Sequence, residues 1–597
     1  MSEPIDPAVD KAAQKKAEKE RVKAERKAKA KEHKAAAAAS GVADQLAATS
    51  LQSSGSTAPA ATKGKKQGAN YNIGLKGTEN GIVTRFPPEP SGYLHIGHAK
   101  AACLNDFFAH KYVGEDGNVI KGKLILRFDD TNPELEKEEF QDAIKVDLAR
   151  LEITPDEVTY TSDYFQVLYE QCVQMIKSGF AYADDTEQEV MKKERWEGIA
   201  SARRDMSIED SLARFEEMKT GSEEGQRWVI RAKISVNSSN RALRDPTIYR
   251  VNLTPHHRTG STWKIYPIYH FAVPVVDSIE GVTHALRTIE YRDWNAMYEW
   301  TLKTLKLRKV QIWDFSRLNF IRTLLSKRKL KYLVEKGVVS GWDDPRFPTV
   351  RGILRRGLTV PALHEFMISQ GPSKNITLMD WTILWTMNKR VIDPIAPRHT
   401  AIATKKAVTC HVKGAKDEPY FEDRPKHPKN GEVGVKKVFF SSSILIQQED
   451  AKTFAKDEEI TLMTWGNAFV RSIDHDGDDV SQIELELHVE GDFKKTEKKV
   501  TWLSKDQKLV DVVLVEYDYL LKEDKLPELA EEDKDDWEKF LTPETEFKTE
   551  AVADCNVVDV KADDIIQMER IGYFRCDKAA TNGSPAVFFE IPSGKSK

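Results

Sequence analysis

Two histidines near the N-terminal third of this 597-residue chain have the type and spacing to act on phosphate. His95 and His98 stand three residues apart where a helical pattern begins, after a short apolar strand that ends at Pro87 and Pro88. The free amides and the dipole of a helix start favour a bound anion, so both side chains could donate to a phosphate whose charge grows during a reaction. A zinc pair and two structural histidines are the alternatives. No further Cys or His stands at metal-ligand spacing, so we predict no metal site.

A lysine-rich segment far downstream offers a second set of phosphate-binding groups. Ser326 and Lys327 lie in Leu-Leu-Ser-Lys-Arg-Lys-Leu, between an apolar run and another helical pattern. Mobile lysines beside a serine suit a loop that closes on a triphosphate, whereas the usual meaning of such a run is a solvated basic helix start. Taken together, His-Ile-Gly-His and Leu-Ser-Lys-Arg-Lys resemble the two signatures of class I aminoacyl-tRNA synthetases.

The segments between these motifs narrow the resemblance to the glutamyl/glutaminyl branch, eukaryotic cytosolic type. It runs in nearly continuous order from about residue 81 to about residue 400 and is weaker beyond. The segments that carry it are Arg85 to Pro90, Leu126 to Pro133, Arg244 to Pro246, Thr254 to His257, Ile265 to Tyr269, Ile279 to His284, Phe315 to Asn319 and Gly341 to Arg346.

The resemblance implies a glutamate–tRNA ligase that uses ATP as substrate with Mg²⁺ and no zinc. Such a reaction needs mainly cations, amides and positioning, because the transferred groups bring their own chemistry. By resemblance, the catalytic residues are His95, His98, Ser326 and Lys327. The implied ATP-binding residues are Glu89, His95, Gly97, His98, Thr288, Glu290, Arg317, Leu318, Leu325, Ser326 and Lys327. For Gly97 we expect that the missing side chain leaves room for a ligand.

The resemblance also implies contacts for the amino acid. Arg85 and Asp129 match residues around the substrate α-carboxylate and α-amino group, and Tyr269 matches a tyrosine that lines the side-chain pocket. Asp129 follows a predicted strand, whereas its neighbour Asp130 could equally cap a helix. The family's usual Tyr-Asp-Phe is Tyr269-His-Phe here, so His270 leaves open any role carried over for the aspartate.

Arg287 is the residue that would separate glutamate from glutamine. A γ-carboxylate entering a partly dry pocket needs a cation, whereas an arginine left unpaired against a neutral amide costs several kcal/mol. Glutaminyl relatives place a small neutral residue at this position and a glutamine where this chain has Ile312. Both positions therefore favour glutamate, with a glutaminyl enzyme as the alternative and a non-catalytic RNA-binding or scaffold relative as a third.

Composition predicts a chain of several domains in a reducing, cytoplasmic setting. The content is 40% apolar and 31% charged, and no apolar run reaches the roughly 18 residues that span a bilayer, so no membrane contact is expected. The five cysteines are odd in number and form no Cys-x-x-Cys pair, which argues against disulfides and against zinc. Because the net charge is only −4, a surface for nucleic acid must arise from local patches.

The fold predicted is multidomain α/β: a Rossmann-type parallel sheet with an acceptor-binding insertion, a helical connecting subdomain and C-terminal antiparallel β-barrels. Alternating strands and helices indicate the parallel sheet, which is expected to resume after the insertion with Tyr266 to Val276 and with Val310 to Phe315. Period-two alternation near the C-terminus indicates the barrels. The predicted domains are a tail and linker (1–70), the first half of the catalytic domain (71–181), the insertion for the tRNA acceptor end (182–263), the second half (264–322), the lysine loop with the helical subdomain (323–394) and two anticodon-binding barrels (395–597).

Two further contacts with RNA are predicted outside the catalytic domain. Between Lys11 and Lys34 basic residues outnumber acidic ones, and the segment reads either as a solvated tail or as a basic arm for RNA phosphates or synthetase-complex partners. Arg398 stands where glutaminyl relatives place an anticodon-contacting arginine, with an ordinary surface arginine as the alternative. The implied partners are therefore tRNA(Glu), L-glutamate and ATP.

Overall fold

The computed structural model describes residues 75–114, 117–134, 136–375, 377–527 and 536–595. The predicted N-terminal tail lies outside the described residues, as does the middle of the acidic segment from Glu523 to Glu538. At the end of that segment Asp536–Phe540 forms a short 3₁₀ helix with Trp537 buried. No helix in the described ranges combines the length and the apolar character that a membrane crossing requires.

The strands and helices of the described residues are numbered in chain order. The strands are β1 Ile82–Phe86, β2 Gly122–Phe128, β3 Glu157–Tyr160, β4 Ala181–Asp184, β5 Val229–Ala232, β6 Thr247–Val251, β7 Ile265–Pro267, β8 His284–Thr288, β9 Gln311–Phe315, β10 Asn319–Phe320, β11 Leu378–Met379, β12 Arg398–His399, β13 Ala401–Ala403, β14 Val408–Lys413, β15 Tyr420–Pro425, β16 Val435–Phe440, β17 Ser443–Ile446, β18 Glu459–Leu462, β19 Gly466–Asp476, β20 Asp479–His488, β21 Lys499–Val500, β22 Trp502–Ser504, β23 Val510–Tyr517, β24 Glu546–Ala553, β25 Ile565–Met568, β26 Gly572–Lys578 and β27 Ala586–Ile591. The α-helices are α1 Ile96–His110, α2 Glu138–Arg150, α3 Phe165–Lys177, α4 Gln188–Glu197, α5 Ile208–Thr220, α6 Glu223–Gln226, α7 Tyr269–Ile279, α8 Asn295–Thr304, α9 Lys327–Glu335, α10 Val350–Arg355, α11 Val360–Gln370, α12 Trp381–Ile392 and α13 Gln448–Ala451.

Five parallel strands form the sheet that carries the candidate site. Strands β1, β2 and β3 pair in parallel, and so do β8 and β9. The two groups meet where the Thr283 N–H donates to the Val83 carbonyl at 2.9 Å. The carboxyl ends of β1, β2, β8 and β9 therefore lie along one edge, which is where open parallel sheets bind ligands.

The insertion folds around its own antiparallel sheet, in the order β4-β5-β6-β7. This sheet runs to Pro267, and α7 begins two residues later at Tyr269. The sequence interpretation of Tyr266 to Val276 as one strand of the parallel sheet is therefore wrong. The run Val-Pro-Val-Val is apolar because α7 is buried on nearly all sides, and periodicity does not distinguish a fully buried helix from a buried strand.

The lysine-rich segment opens the helical subdomain. Ser326 precedes α9, whose Leu330 and Leu333 are buried in a cluster with Leu520, Leu521 and Trp537 from the C-terminal part. The Arg322 N–H donates to the Asp524 carbonyl at 2.9 Å just before this helix. The helix that carries the candidate lysine is thus packed against the C-terminal region.

The C-terminal third contains two seven-stranded, barrel-like sheets. One has the order β21-β18-β19-β20-β14-β17-β22, and the other has the order β12-β25-β26-β27-β23-β24-β13. Most pairs are antiparallel as predicted. The parallel pairs are β14 with β20, β18 with β21, β12 with β25 and β23 with β27. The second sheet takes strands from both sides of the first in sequence, so the first is inserted within the second.

Candidate active site

Both histidines cap the first turn of α1, and their hydrogen bonds define which nitrogen is free. His95 Nδ1 accepts from the Gly97 N–H at 3.1 Å, and His98 Nδ1 accepts from the His95 N–H at 3.1 Å. The rings stack with their centroids 3.8 Å apart. Burial, with Lys327 and Arg317 nearby, lowers the pKa of His95 to about 4, and burial beside His95 and Lys327 holds the pKa of His98 well below its usual value. Each ring is therefore neutral at pH 7 and carries its proton on Nε2, where it can donate to an anion.

Gly97 is required by the first histidine. A Cβ at Gly97 would lie 2.9 Å from His95 Cε1 and 3.1 Å from His95 Nδ1, closer than real Cβ contacts. Gly97 also lines the cavity, and the expectation that it leaves room for a ligand stays a prediction. The missing side chain lets the His95 ring fold back over the helix start.

Lys327 reaches the turn that precedes the histidines. Its Nζ lies 2.6 Å from Ser91 Oγ, and the Ser91 hydroxyl donates to Glu89 Oε2 at 2.9 Å. Burial lowers the pKa of Lys327, while Glu89 opposes that shift. A residue of the lysine-rich segment is therefore in contact with the turn just before His95, although more than two hundred residues separate them in sequence.

A cavity of about 810 Å³ opens at the carboxyl edge of the parallel sheet. It is large enough for a nucleotide and an amino acid together. Twelve of the predicted site residues line it: Arg85, Glu89, His95, Gly97, His98, Asp129, Tyr269, Arg287, Thr288, Glu290, Arg317 and Leu318. Leu325, Ser326 and Lys327, at the start of α9, are not part of this lining, and neither is Arg398.

Arg287 is a buried cation that forms no ion pair with another of the described residues. Arg287 is 6% exposed, and neither its Nε nor its Nη1 has a hydrogen-bond partner among the described residues. The guanidinium carbon lies 5.1 Å from the centre of the Tyr291 ring and 5.4 Å from that of Tyr298. Two aromatic faces stabilise the charge only in part, so donors remain for an anionic ligand.

The strand register places Ile312 beside this arginine. Ile312 pairs with Ala285 and Asp314 pairs with Arg287, so all four side chains share one face of the sheet. Asp314 accepts two hydrogen bonds from Asn295 Nδ2, at 3.1 and 3.0 Å. A residue at position 312 is thus close enough to influence the pocket around Arg287.

The guanidinium of Arg85 has hydrogen-bond partners on two nitrogens and none on the third among the described residues. Its Nε donates to Asp277 Oδ1 at 3.0 Å and its Nη1 donates to the Leu286 carbonyl at 3.1 Å. Its Nη2 is buried without a hydrogen-bond partner among the described residues. The side chain lines the cavity, so the free edge can bind an anion there.

The two consecutive aspartates have different surroundings. Asp129 lines the cavity, accepts a hydrogen bond from the Thr161 hydroxyl at 3.2 Å, and has its pKa raised to about 6 by burial. Asp130 accepts from the Ser162 N–H at 2.8 Å and from the Ser162 hydroxyl at 2.6 Å. Helix α2 begins only at Glu138, so Asp130 holds the Ser162 turn and does not cap that helix.

Tyr269 and His270 open helix α7. Tyr269 lines the cavity against Tyr291, with ring centroids 5.3 Å apart. His270 stacks flat on Trp294, with centroids 3.4 Å apart and an angle of 8° between the planes. Burial, with Arg287 and Arg195 nearby, lowers the pKa of His270 to about 4. A neutral ring thus occupies the position where the family usually has a carboxylate.

One group of residues near the cavity has the spacing of a metal site. Ligand atoms of Asp130, His256 and His257 all lie within 4.8 Å of one another. However, His256 Nε2 donates to the Asp130 carbonyl at 2.9 Å, and its Nδ1 accepts from the N–H groups of Arg258 and Thr259 at 3.2 Å. Both ring nitrogens are used by the backbone, which favours a structural histidine. The prediction of no metal site remains a prediction.

Arg398 lies at the junction between the helical subdomain and the second barrel. It is 9% exposed, and its Nη2 donates to Asp393 Oδ1 at 2.9 Å. Its Nη1 is buried without a hydrogen-bond partner among the described residues, and its guanidinium lies 5.6 Å from the Tyr573 ring. This is not an ordinary surface arginine, and its contact with an anticodon remains a prediction.

Sequence reasoning missed several residues that shape the cavity. Lys100 is buried and donates from Nζ to the Ser316 carbonyl at 2.7 Å, which fixes the residue before Arg317. Asp277 accepts a hydrogen bond from Arg85, and the Tyr298 hydroxyl donates to the same carboxylate. A signal for Asp277 was present, since an aspartate within an apolar run of Val and Ile must have a buried partner.

The chain is similar in sequence to a family of known proteins. The chain matches the family described as tRNA synthetases class I (E and Q), catalytic domain, over residues 81–394. It matches the anti-codon binding domains of the same group over residues 396–489 and 499–577. It is 57% identical over 532 residues to the cytoplasmic glutamate–tRNA ligase of Saccharomyces cerevisiae, which covers 88% of this chain and 72% of the yeast protein.

More distant relatives are similar over the same region. The cytoplasmic glutamate–tRNA ligase of Arabidopsis thaliana is 48% identical over 516 residues, which is 86% of this chain and 70% of the plant protein. A crystal structure of a glutamate tRNA ligase from Elizabethkingia meningosepticum in complex with its amino acid is 18% identical, with a TM-score of 0.38 over 52% of this chain and 69% of that chain.

Proposed function

The chain belongs to the class I tRNA synthetases for glutamate and glutamine, and we propose that it joins L-glutamate to tRNA(Glu) in the cytoplasm, using ATP. Mg²⁺ enters with ATP as part of the substrate. The first step links the glutamate α-carboxylate to the α-phosphate of ATP and releases pyrophosphate. The second step moves the glutamyl group to a ribose hydroxyl at the tRNA end and releases AMP.

The observation that carries the choice of glutamate is the state of Arg287. A guanidinium that is 6% exposed and has two nitrogens without hydrogen-bond partners among the described residues needs an anion at the cavity. The γ-carboxylate of glutamate supplies one, whereas the neutral amide of glutamine does not. Ile312 supports the same choice, because it offers no polar group to an amide.

At the other end of the cavity, the residues suit a triphosphate. The Nε2–H groups of His95 and His98 can donate to phosphate oxygens without carrying charge themselves. Lys327 and Arg317 supply the positive charge that is needed as pyrophosphate leaves. Lys327 opens α9 and the histidines open α1, and the contact of Lys327 with Ser91 keeps these groups at the same end of the cavity.

Asp129 and Arg85 would hold the α-amino and α-carboxylate groups. The carboxylate of Asp129 can pair with an ammonium, and the open edge of Arg85 can pair with a carboxylate. Both side chains are buried, so their charges are screened little by solvent. Two buried charges of opposite sign would therefore orient the substrate at its α-carbon.

A glutaminyl enzyme and a non-catalytic relative are the competing functions. ATP–pyrophosphate exchange with glutamate and with glutamine, each with and without tRNA, separates them. We expect exchange with glutamate and little with glutamine. Exchange with glutamine alone would establish the glutaminyl alternative, and no exchange with either amino acid in the presence of tRNA would favour the non-catalytic one.

A further inference from the structure

The carboxylate of Asp277 connects Arg85, which lines the cavity, with the interior of the catalytic domain. Asp277 lies inside α7 and is 0% exposed. Its Oδ1 accepts from Arg85 Nε at 3.0 Å and from Arg127 Nη2 at 2.6 Å, and its Oδ2 accepts from the Tyr298 hydroxyl at 2.8 Å. Three side chains from three different elements are thus fixed by one residue that does not line the cavity.

The contact with Arg85 determines which edge of that arginine is available. With Nε on Asp277 and Nη1 on the Leu286 carbonyl, the guanidinium cannot rotate without losing both bonds. Its remaining Nη2 is the group without a hydrogen-bond partner among the described residues. Asp277 therefore accepts a hydrogen bond from Nε of Arg85 and so holds Nη2 in position for a ligand.

The contact with Tyr298 extends this arrangement to the second arginine. The Tyr298 ring lies 5.4 Å from the guanidinium carbon of Arg287. Because its hydroxyl is held by Asp277, the ring has a fixed position beside Arg287. Both arginines at the amino-acid end of the cavity thus depend on the same carboxylate, one directly and one through an aromatic ring.

We propose that Asp277 is a positioning residue for the amino-acid substrate, which fixes Arg85 directly and Arg287 through Tyr298. This inference rests on the proposed function, because it assigns both arginines to glutamate. It does not concern ATP, whose side of the cavity Asp277 does not reach. The effect of disturbing Asp277 should therefore appear in the constants for glutamate and not in those for ATP.

Simple charge compensation in the interior is the competing explanation, and the structure contains a matched control for it. Glu280 lies one turn along from Asp277, and its side chain is 3% exposed. It pairs with Arg127 at 2.8 Å but makes no bond to Arg85 or Tyr298. Asp277→Asn and Glu280→Gln both remove one buried negative charge next to Arg127. A difference between their kinetic constants therefore measures the effect of the contacts that Asp277 makes with Arg85 and Tyr298.

The test measures KM for glutamate, KM for ATP and kcat by ATP–pyrophosphate exchange in the presence of tRNA, with thermal unfolding recorded for each variant. For Asp277→Asn we expect KM for glutamate to rise by about 100-fold, as when one partner of a buried pair is removed, while KM for ATP changes by less than about threefold. For Glu280→Gln we expect both constants within about threefold of the parent. Asp277→Glu, which keeps the charge, should recover part of the glutamate affinity.

A further variant keeps the inference testable if Asp277→Asn does not fold. Tyr298→Phe removes one hydroxyl and no charge, and we expect it to raise KM for glutamate by about tenfold without changing KM for ATP. Equal effects of Asp277→Asn and Glu280→Gln, equal changes in the glutamate and ATP constants, or a Tyr298→Phe protein identical to the parent would each overturn the inference. A parent protein that does not activate glutamate would instead refute the proposed function.

Discussion

The two ends of the cavity hold their cations in opposite ways. At the amino-acid end Arg85 and Arg287 are 1% and 6% exposed and are fixed by the interior. At the nucleotide end the Arg317 side chain is 55% exposed and pairs with Glu290 at 3.6 Å, and Lys327 from the start of α9 supplies a second cation. A buried cation selects an anionic ligand because a neutral ligand leaves the cation unpaired. An exposed cation can instead change position to stabilise the negative charge that develops during the reaction.

The strongest test of this comparison is the replacement of the buried cation Arg287. Arg287→Cys removes the positive charge beside the proposed γ-carboxylate, and losing one partner of a buried pair costs about 3 to 5 kcal/mol, or about 10² to 10³ in kcat/KM for glutamate. Glutamine should lose little or even gain. The measurement is the ratio of kcat/KM for the two amino acids.

A second substitution, in the neighbouring strand β9, tests the preference for glutamate over glutamine further. Ile312→Gln added to Arg287→Cys places an amide on the same face of the sheet and should move the preference further toward glutamine. Ile312→Gln alone serves as the control. If Arg287→Cys loses both amino acids equally, or if the parent prefers glutamine, Arg287 is not the residue that selects glutamate.

At the nucleotide end the comparison predicts an effect on rate more than on binding. Lys327→Ala should lower the rate of activation by about 10² or more, because its charge is most needed as pyrophosphate departs. Pre-steady-state activation and KM for ATP are the quantities to measure, with Arg328→Ala on the same helix start as the control. An unchanged rate with a raised KM for ATP would contradict this role for Lys327.

Arg398 extends the comparison to a buried cation far from the cavity. Arg398→Ala should weaken aminoacylation of tRNA(Glu) by roughly 1 to 3 kcal/mol while ATP–pyrophosphate exchange at saturating tRNA stays near that of the parent. Because Nη2 also holds Asp393, thermal unfolding must be measured alongside. Equal charging by the two proteins would show that Arg398 acts only within the domain junction.

The smallest expected effect concerns pH at the amino-acid end. Burial raises the pKa of Asp129 to about 6, so the carboxylate form that pairs with an ammonium is lost as pH falls through that value. Below pH 6, kcat/KM for glutamate should therefore fall by about tenfold per pH unit. Asp129→Asn should be low and flat over the same range, and a parent profile that is flat down to pH 5 would exclude this role.

The site was more predictable from the sequence than the elements that hold it. His95, Lys327 and Arg287 belong to short motifs whose chemistry can be read from residue type, and the structure brings the first two together around one cavity that the third lines. Asp277 was missed because its apolar surroundings suggested a strand, and only the packing of α7 shows which side chains it meets. Partners in a buried ion network come from distant parts of the chain, so local pattern does not reveal them.

The C-terminal sheets show the same limit for topology. Alternation along β20 and β23 correctly indicated strands, yet it did not indicate which sheet each strand joins. The sheet that a strand joins depends on contacts between distant residues, such as the pairing of Ala401 with Ala553, and a local sequence pattern does not predict these contacts. The sequence predicts two barrels between residues 395 and 597 without giving their arrangement, and the structure inserts one within the other.

This insertion has a consequence for synthesis on the ribosome. Strand β13 leaves the ribosome before the whole first barrel, but its partner β24 lies about 150 residues further along. The first barrel can fold as soon as β22 has emerged, since all of its strands lie between β14 and β22. During that interval β12 and β13 have no partner strands, so the last part of the nascent chain completes a domain whose first strands were made long before.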